Sequence, residues 1–175
     1  MSNLIDRTLA EVRMTAGMPA RYQLFSVADF ISDAKISAAL EADAYECRLT
    51  VSEIDRTLAV DADRDMLFSA LGNLLQNAFK FTAHRSEVKL NAYAEAGRIL
   101  ISVEDRGPGL APGEVETIFL PFRQNGADKS GVGLGLAICR RSTEINNGAL
   151  SVRSVPGSGC VFTIDLPRHS LPNQP

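Results

Sequence analysis

"DRDMLFSALGNLLQNAFKF", residues 63–81, sets Met66, Leu67, Ala70, Leu71, Leu74, Leu75, Ala78 and Phe79 at intervals of three and four. That spacing winds the apolar side chains onto one stripe of an α-helix. A stripe so regular must lie on a core. Asn73, Asn77 and Lys80 project together from the side opposite the leucines, because positions four and three apart face the same way. Asparagine is a weak helix former, and such a row taken alone is more often a solvated face than a site. Its meaning depends on what the neighbouring elements bring to it.

Downstream, "EVKLNAYAE" (87–95) and "RILISVEDR" (98–106) alternate as two strands around a turn at Gly97, with Ile99, Ile101 and Val103 on one face. Asp105 therefore stands where a strand ends, and with Gly107 and Gly109 it forms D-x-G-x-G, a pattern a tight surface turn would also use. Residues 113–119 predict a short helix, and "RQNGADKSG" (123–131) is a polar loop without periodicity. A helix returns from Leu134 to about Asn146 and stops at Asn147 and Gly148. Gly131, Gly133 and Gly135 lead into it, where free N–H groups and the positive end of the helix dipole suit a phosphate. A loop rather than a strand precedes this cluster, so it is no dinucleotide fingerprint, and without Gly-Lys-Ser/Thr it is no Walker A loop. "ALSVRSV", the turn "PGSG" and "CVFTIDLP" predict a hairpin, and "RHSLPNQP" a frayed tail.

Upstream, "NLIDRTLAEVRM" predicts a helix over Leu4–Val12 that "GMP" (17–19) terminates. "SVADFISDAKISAALEADA" predicts a second, opened by Ser26 and Asp29 at capping-box spacing. "CRLTVSEI" and "RTLAV" read as two short strands joined by a turn near Asp55.

The 175 residues are 45% hydrophobic and 22% charged, the balance of one folded domain. A net charge of −3 without a basic tract argues against nucleic acid. No apolar run approaches the roughly 20 residues of a membrane span. The charged start is unlike a signal peptide, so the expected location is cytoplasmic, with a parent protein free to be membrane-anchored. Cys47, Cys139 and Cys160 are far apart and odd in number, and His84 and His169 have no partner at metal-ligand spacing.

In their order, the polar and glycine-bearing blocks resemble the ATP-binding domain shared by sensor histidine kinases and by gyrase-type and chaperone-type ATPases. "NLLQNAFKFT" (73–82) is similar to the histidine-kinase N box, "DRGPGL" (105–110) to the G1 box and "IFLPF" (118–122) to the F box. "GVGLGLAI" (131–138) is similar to the G2 box and "GSGCVFT" (157–163) to the last glycine box. The resemblance covers roughly residues 60–167 and is loose before that. It implies a two-layer α/β sandwich, a mixed sheet with helices on one face, and ATP with Mg²⁺ as cofactors.

Residue by residue, the resemblance makes Asn77 the Mg²⁺ ligand, a role its hard amide oxygen suits. Lys80 meets phosphate charge, and Asp105 accepts from the adenine amino group while rejecting guanine. Gly107 and Gly109 admit the base, Thr163 helps through a water, and Gly131, Gly133, Gly135 and Leu136 line the nucleotide. Phe119 and Phe122, otherwise ordinary core aromatics, hinge the 123–131 loop as an ATP lid.

Hydrolases of the superfamily place a glutamate one turn before the metal-binding asparagine. Asn73 stands there, and an amide cannot take a proton from water, which favours phosphoryl transfer to a protein side chain. The acceptor motif His-Glu/Asp-x-x-x-Pro is absent around both histidines. The implied partners are thus a histidine-bearing dimerisation domain and, downstream, a response regulator. Residues 1–18 read as the end of that domain's second helix, 19–168 as the ATP-binding domain and 169–175 as a disordered tail. A serine kinase of the anti-sigma type and a non-catalytic nucleotide- or protein-binding module are the alternatives.

Overall fold

The computed structural model describes residues 12–13, 16–17, 19–121 and 134–172. The N-terminal helix expected over Leu4–Val12 lies outside them except at its end, where Val12 and Arg13 are helical.

Five strands form the main sheet in the order β2 (Arg48–Val51), β4 (Glu87–Glu95), β5 (Arg98–Glu104), β7 (Gly159–Pro167), β6 (Ala149–Val155). β2 runs parallel to β4 and every other pair is antiparallel, so the sheet is mixed. A smaller antiparallel sheet joins β1 (Tyr22–Ser26), β3 (Leu58–Asp63) and β8 (His169–Ser170). The helices are α1 (Val27–Ala44), α2 (Arg64–Phe81), the single turn α3 (Glu114–Thr117) and α4 (Gly135–Ile145).

Alternation along the strands decides which face is covered. Val88, Leu90, Ala92, Ile99, Ile101, Val103, Phe162, Ile164 and Leu166 are buried, and share one core with Leu67, Leu71, Leu74, Leu75 and Phe79 of α2 and with Phe30, Ile31, Ala34 and Ala38 of α1. Their odd-even neighbours, such as Lys89, Asn91, Thr163 and Asp165, form the outer face. The result is the expected α/β sandwich with helices on one face of a mixed sheet.

The predicted helix boundaries follow local chemistry. Asp63 caps α2, its side chain accepting from the Met66 N–H, and Ser26 caps α1 by accepting from Asp29 at 3.3 Å. α4 ends in a Schellman motif: Asn147 takes φ 58°, its N–H donates to Glu144 O at 3.1 Å, and Gly148 N–H donates to Thr143 O at 2.9 Å. The β4–β5 turn uses Ala96 and Gly97, both at positive φ.

The two short strands on either side of Asp55 form as expected and separate into different sheets: β2 joins β4 in the main sheet and β3 joins β1 in the small one. β1 has no counterpart among the expected elements. The tail expected to be frayed from residue 169 begins as a strand, His169 and Ser170 pairing with Ala59 and Leu58. Among the described residues no helix is long and apolar enough to cross a membrane.

Candidate functional site

Asp105 follows β5 on the helix-covered side and is 6% exposed. Its Oδ1 accepts two backbone N–H bonds, from Gly107 at 2.8 Å and from Cys160 at 3.2 Å. Its own N–H donates to Cys160 O at 2.9 Å, so the residue is clasped between β5 and the start of β7. Burial pushes its carboxyl above the ordinary aspartate range, while the Gly107 and Cys160 N–H bonds act in the opposite direction. Among the described residues both side-chain bonds engage Oδ1, which leaves Oδ2 as an oriented acceptor in a poorly solvated place.

The loop after Asp105 is fixed by the chain's own backbone. A Cβ on Gly107 would lie 2.5 Å from Phe81 O, and one on Gly109 would lie 2.6 Å from Val155 O. Pro108 O accepts from Gly157 N–H at 2.7 Å, and Leu110 N–H donates to Ser154 Oγ at 2.7 Å. The glycines expected to admit a base therefore first admit the end of α2 and the β6–β7 hairpin. Arg106 N–H donates to Thr82 Oγ1 at 3.0 Å, which ties the loop to the last turn of α2. One turn further back on that helix stands Asn77.

The polar row on α2 differs from its expected setting. Asn77 and Lys80 are partly buried, and Lys80 Nζ lies 5.6 Å from the Phe81 ring centre. Asn73, however, is 6% exposed, not solvated. The reason is α4, which packs on that side of α2 through Cys139, whose Sγ reaches Ala70 O at 3.2 Å. Asn73 Nδ2 and, one turn earlier, Ser69 Oγ are buried without a hydrogen-bond partner among the described residues. A native fold rarely leaves such groups unmatched without a use for them.

α4 begins at Gly135 with Leu134 in the N-cap position and no side-chain cap, so its first N–H groups are not satisfied by a capping side chain. A Cβ on Gly135 would meet nothing within 4 Å. Leu136 packs against the edge of the core. Phe119 also sits on the core, edge-on to Phe162 with ring centres 6.3 Å apart. Phe122, Gly131, Gly133 and the 123–131 loop lie outside the described residues.

Thr163 does not join these residues. In register with Ser102 and Ser151 it occupies the outer face of the sheet, whereas Cys160 and Phe162 point to the helix side. Cys160 is the residue of this strand beside Asp105; its Sγ reaches Ser154 Oγ at 3.4 Å, and burial pushes its thiol up. The signal was available in "GCVFTIDLP", since positions two apart share a face and Cys160 goes with Phe162, Ile164 and Leu166.

A buried oriented acceptor thus neighbours the end of a helix that carries an amide oxygen, an unpartnered amide donor and an ammonium, with an uncapped helix start alongside. Residues 62–170 match the family model described as histidine kinase-, DNA gyrase B-, and HSP90-like ATPase, more than half of the chain. The chain is 32% identical over 166 residues to the alginate biosynthesis sensor protein KinB of Pseudomonas aeruginosa, covering 94% of this chain and 28% of KinB. Among solved structures, the nucleotide-free catalytic domain of histidine kinase ThkA aligns with TM-score 0.75 and 25% identity over 84% of this chain and 95% of that one. Full-length ShkA in complex with AMPPNP aligns with TM-score 0.78 and 29% identity over 96% of this chain and 36% of that one. ThkA is also known in complex with the response regulator protein TrrA, aligning at TM-score 0.72 and 23% identity over 85% of this chain and 42% of that one.

The chain belongs to the histidine kinase-, DNA gyrase B- and HSP90-like ATPase family. Within it, the chain is an ATP-binding catalytic domain of the sensor histidine kinase kind. It spans under a third of the length of the curated relatives it matches.

Proposed function

We propose that this domain binds ATP with Mg²⁺ in the cytoplasm and delivers the γ-phosphoryl group to a histidine on a separate dimerisation domain, from which a response regulator is supplied. The observation that carries the proposal is Asp105: a buried carboxylate, one oxygen held by two backbone N–H groups and the other free to accept from an exocyclic amino group. Guanine would set its carbonyl against the same oxygen, two acceptors face to face.

The donor set fits a metal-bound triphosphate. Asn77 offers a hard amide oxygen, Lys80 a cation, and the uncapped start of α4 a set of N–H groups. The unpartnered Asn73 Nδ2 is a buried donor lacking an acceptor, which a phosphate oxygen would supply. Bound Mg²⁺ would supply charge neutralisation between phosphate oxygens.

In the transfer, an imidazole nitrogen of the partner domain forms a bond to the γ-phosphorus as the bond to the β,γ-bridging oxygen breaks. ADP leaves with that electron pair, and the imidazole proton passes to solvent. The residues of this chain contribute position and electrostatics rather than proton abstraction, since Asn73 is an amide and cannot serve as a base toward water. His84 and His169 are both exposed and neither stands in the acceptor pattern.

The test is incubation of the chain with γ-labelled Mg²⁺-ATP and a histidine-bearing hairpin domain added in trans. Acid-labile label on the hairpin is the expected product. Acid-stable label would favour the serine-kinase alternative, and absence of nucleotide binding would leave only an interaction module.

A further inference from the structure

Three stretches distant in sequence meet at Asp63, which is 1% exposed. Its Oδ1 accepts from Met66 N–H at 3.1 Å as the cap of α2. Its Oδ2 accepts from the Arg13 guanidinium and from the Arg21 N–H, each at 2.8 Å. The Asp63 N–H donates to Asn146 Oδ1 at 2.6 Å. Asn146 is the C-cap of α4, 1% exposed, and its Nδ2 donates back to Ser142 O at 2.8 Å. Beside it, the Tyr22 hydroxyl donates to Ile145 O at 2.5 Å. The last turn of α4 is thereby bonded to β1, to the end of β3 and, through Asp63, to Arg13.

This junction is costly to build. The Arg13 side chain is 12% exposed, and its Nε is buried without a partner among the described residues. Withdrawing two opposite charges from water brings little net stability, so ion pairs of this kind are weak devices for stability alone. They do enforce a single geometry, because either charge left alone is strongly disfavoured.

We propose that Arg13, Asp63 and Asn146 form a latch coupling the segment that leads into β1 to α4, the helix whose first residue, Gly135, belongs to the glycine run assigned above to phosphate. α4 is a rod of 11 residues, about 16 Å at the usual helix rise. It lies on α2 through Cys139, whose Sγ reaches Ala70 O at 3.2 Å, and Cys139, Ser142 and Thr143 are each 0% exposed. Closely packed side chains of this size resist local deformation, so a displacement at the glycine end moves the helix as a unit and reaches the latch. The coupling is reciprocal: whatever orders one end biases the other. What occupies the glycine end rests on the nucleotide reading; the link between latch and helix does not.

The experiment is hydrogen exchange read by mass spectrometry on the whole chain without nucleotide, comparing wild type with Arg13→Met and Asn146→Ala. In Arg13→Met the expected result is faster exchange at residues 12–22 and also along α4, several-fold at both ends, with the β4–β5 hairpin unchanged. Asn146→Ala, cutting from the other side, speeds exchange at residues 12–22. Acceleration confined to 12–22 in Arg13→Met overturns the latch. So does acceleration spread evenly through the β4–β5 hairpin, which reads as general loss of stability. Failure of Mg²⁺-ATP to bind would end the proposed function while leaving this exchange pattern to be judged separately.

Discussion

Two halves of the candidate site are built on opposite terms. The Asp105–Leu110 loop is held in place by the chain itself: backbone packs against both of its glycines, and Asp105 Oδ1 and Leu110 N–H have protein partners. The α2–α4 half is unfinished among the described residues, with Asn73 Nδ2 buried and unpartnered and α4 starting without a side-chain cap. The first half is preorganised, so that recognition there needs no rearrangement at the moment of binding. The second has donors that the described residues leave without an acceptor, as the proposed triphosphate site requires. Substitutions that crowd the backbone packed around the loop should therefore damage stability together with binding, and substitutions in the polar row should damage binding alone.

The largest effect is expected at Gly159, whose φ of 111° is nearly exclusive to glycine and whose added Cβ would fall on the Asp105 carbonyl. Gly159→Ala should cost about 2 to 4 kcal/mol in urea unfolding and abolish nucleotide binding with it. A wild-type midpoint would show that the loop is not held as described. Asn77→Ala should leave stability within about 1 kcal/mol. It should weaken Mg²⁺-dependent ATP affinity about 10- to 100-fold, the worth of one bond to a charged group. Equal losses of stability at Gly159 and Asn77 would erase the contrast between the halves.

Asp105→Asn sharpens it further. The folded-state pKa of Asp105 is raised, so its contribution to stability is full below the unfolded aspartate pKa and lost as pH rises through the folded value. An asparagine keeps an Oδ1 for the Gly107 and Cys160 N–H groups without the buried charge. The variant should match wild type at low pH and become more stable near neutrality, by about 2 to 4 °C in Tm for each 1 kcal/mol. A gap that widens toward acid would contradict the assigned cause. Ser154→Ala, which removes the acceptor for Leu110 N–H, should cost about 1 kcal/mol. Smallest of all, Thr163→Val on the outer sheet face should leave ATP affinity within about twofold, under 0.5 kcal/mol. A large loss would return Thr163 to the site.

Much of this arrangement was legible because it is local. The spacing of Met66 through Phe79 marked α2, Asp63 marked its start, and the alternation around Gly97 marked β4 and β5. Asp105 could be placed at a strand end by counting. Pairing was not legible, because β2 finds β4 and β3 finds β1 and β8 through contacts distant in sequence, and no local period encodes a partner. The side of α2 bearing Asn73 looked solvated for the same reason: α4, which covers it, begins more than fifty residues later. Thr163 is a different case, since the alternation in β7 is itself readable and puts Cys160, not Thr163, on the helix side. The Arg13–Asp63–Asn146 junction depends on three side chains meeting from distant segments, and nothing in the pattern of any one segment announces it.

The central claim is that Asp105 recognises the purine of ATP from a loop that folds without it. Calorimetric titration of wild type and Asp105→Asn with Mg²⁺-ATP, alongside thermal unfolding of both, tests it most directly. One saturable site in wild type and none in a variant of equal or higher Tm is the predicted result. Wild-type affinity in a folded Asp105→Asn would contradict it.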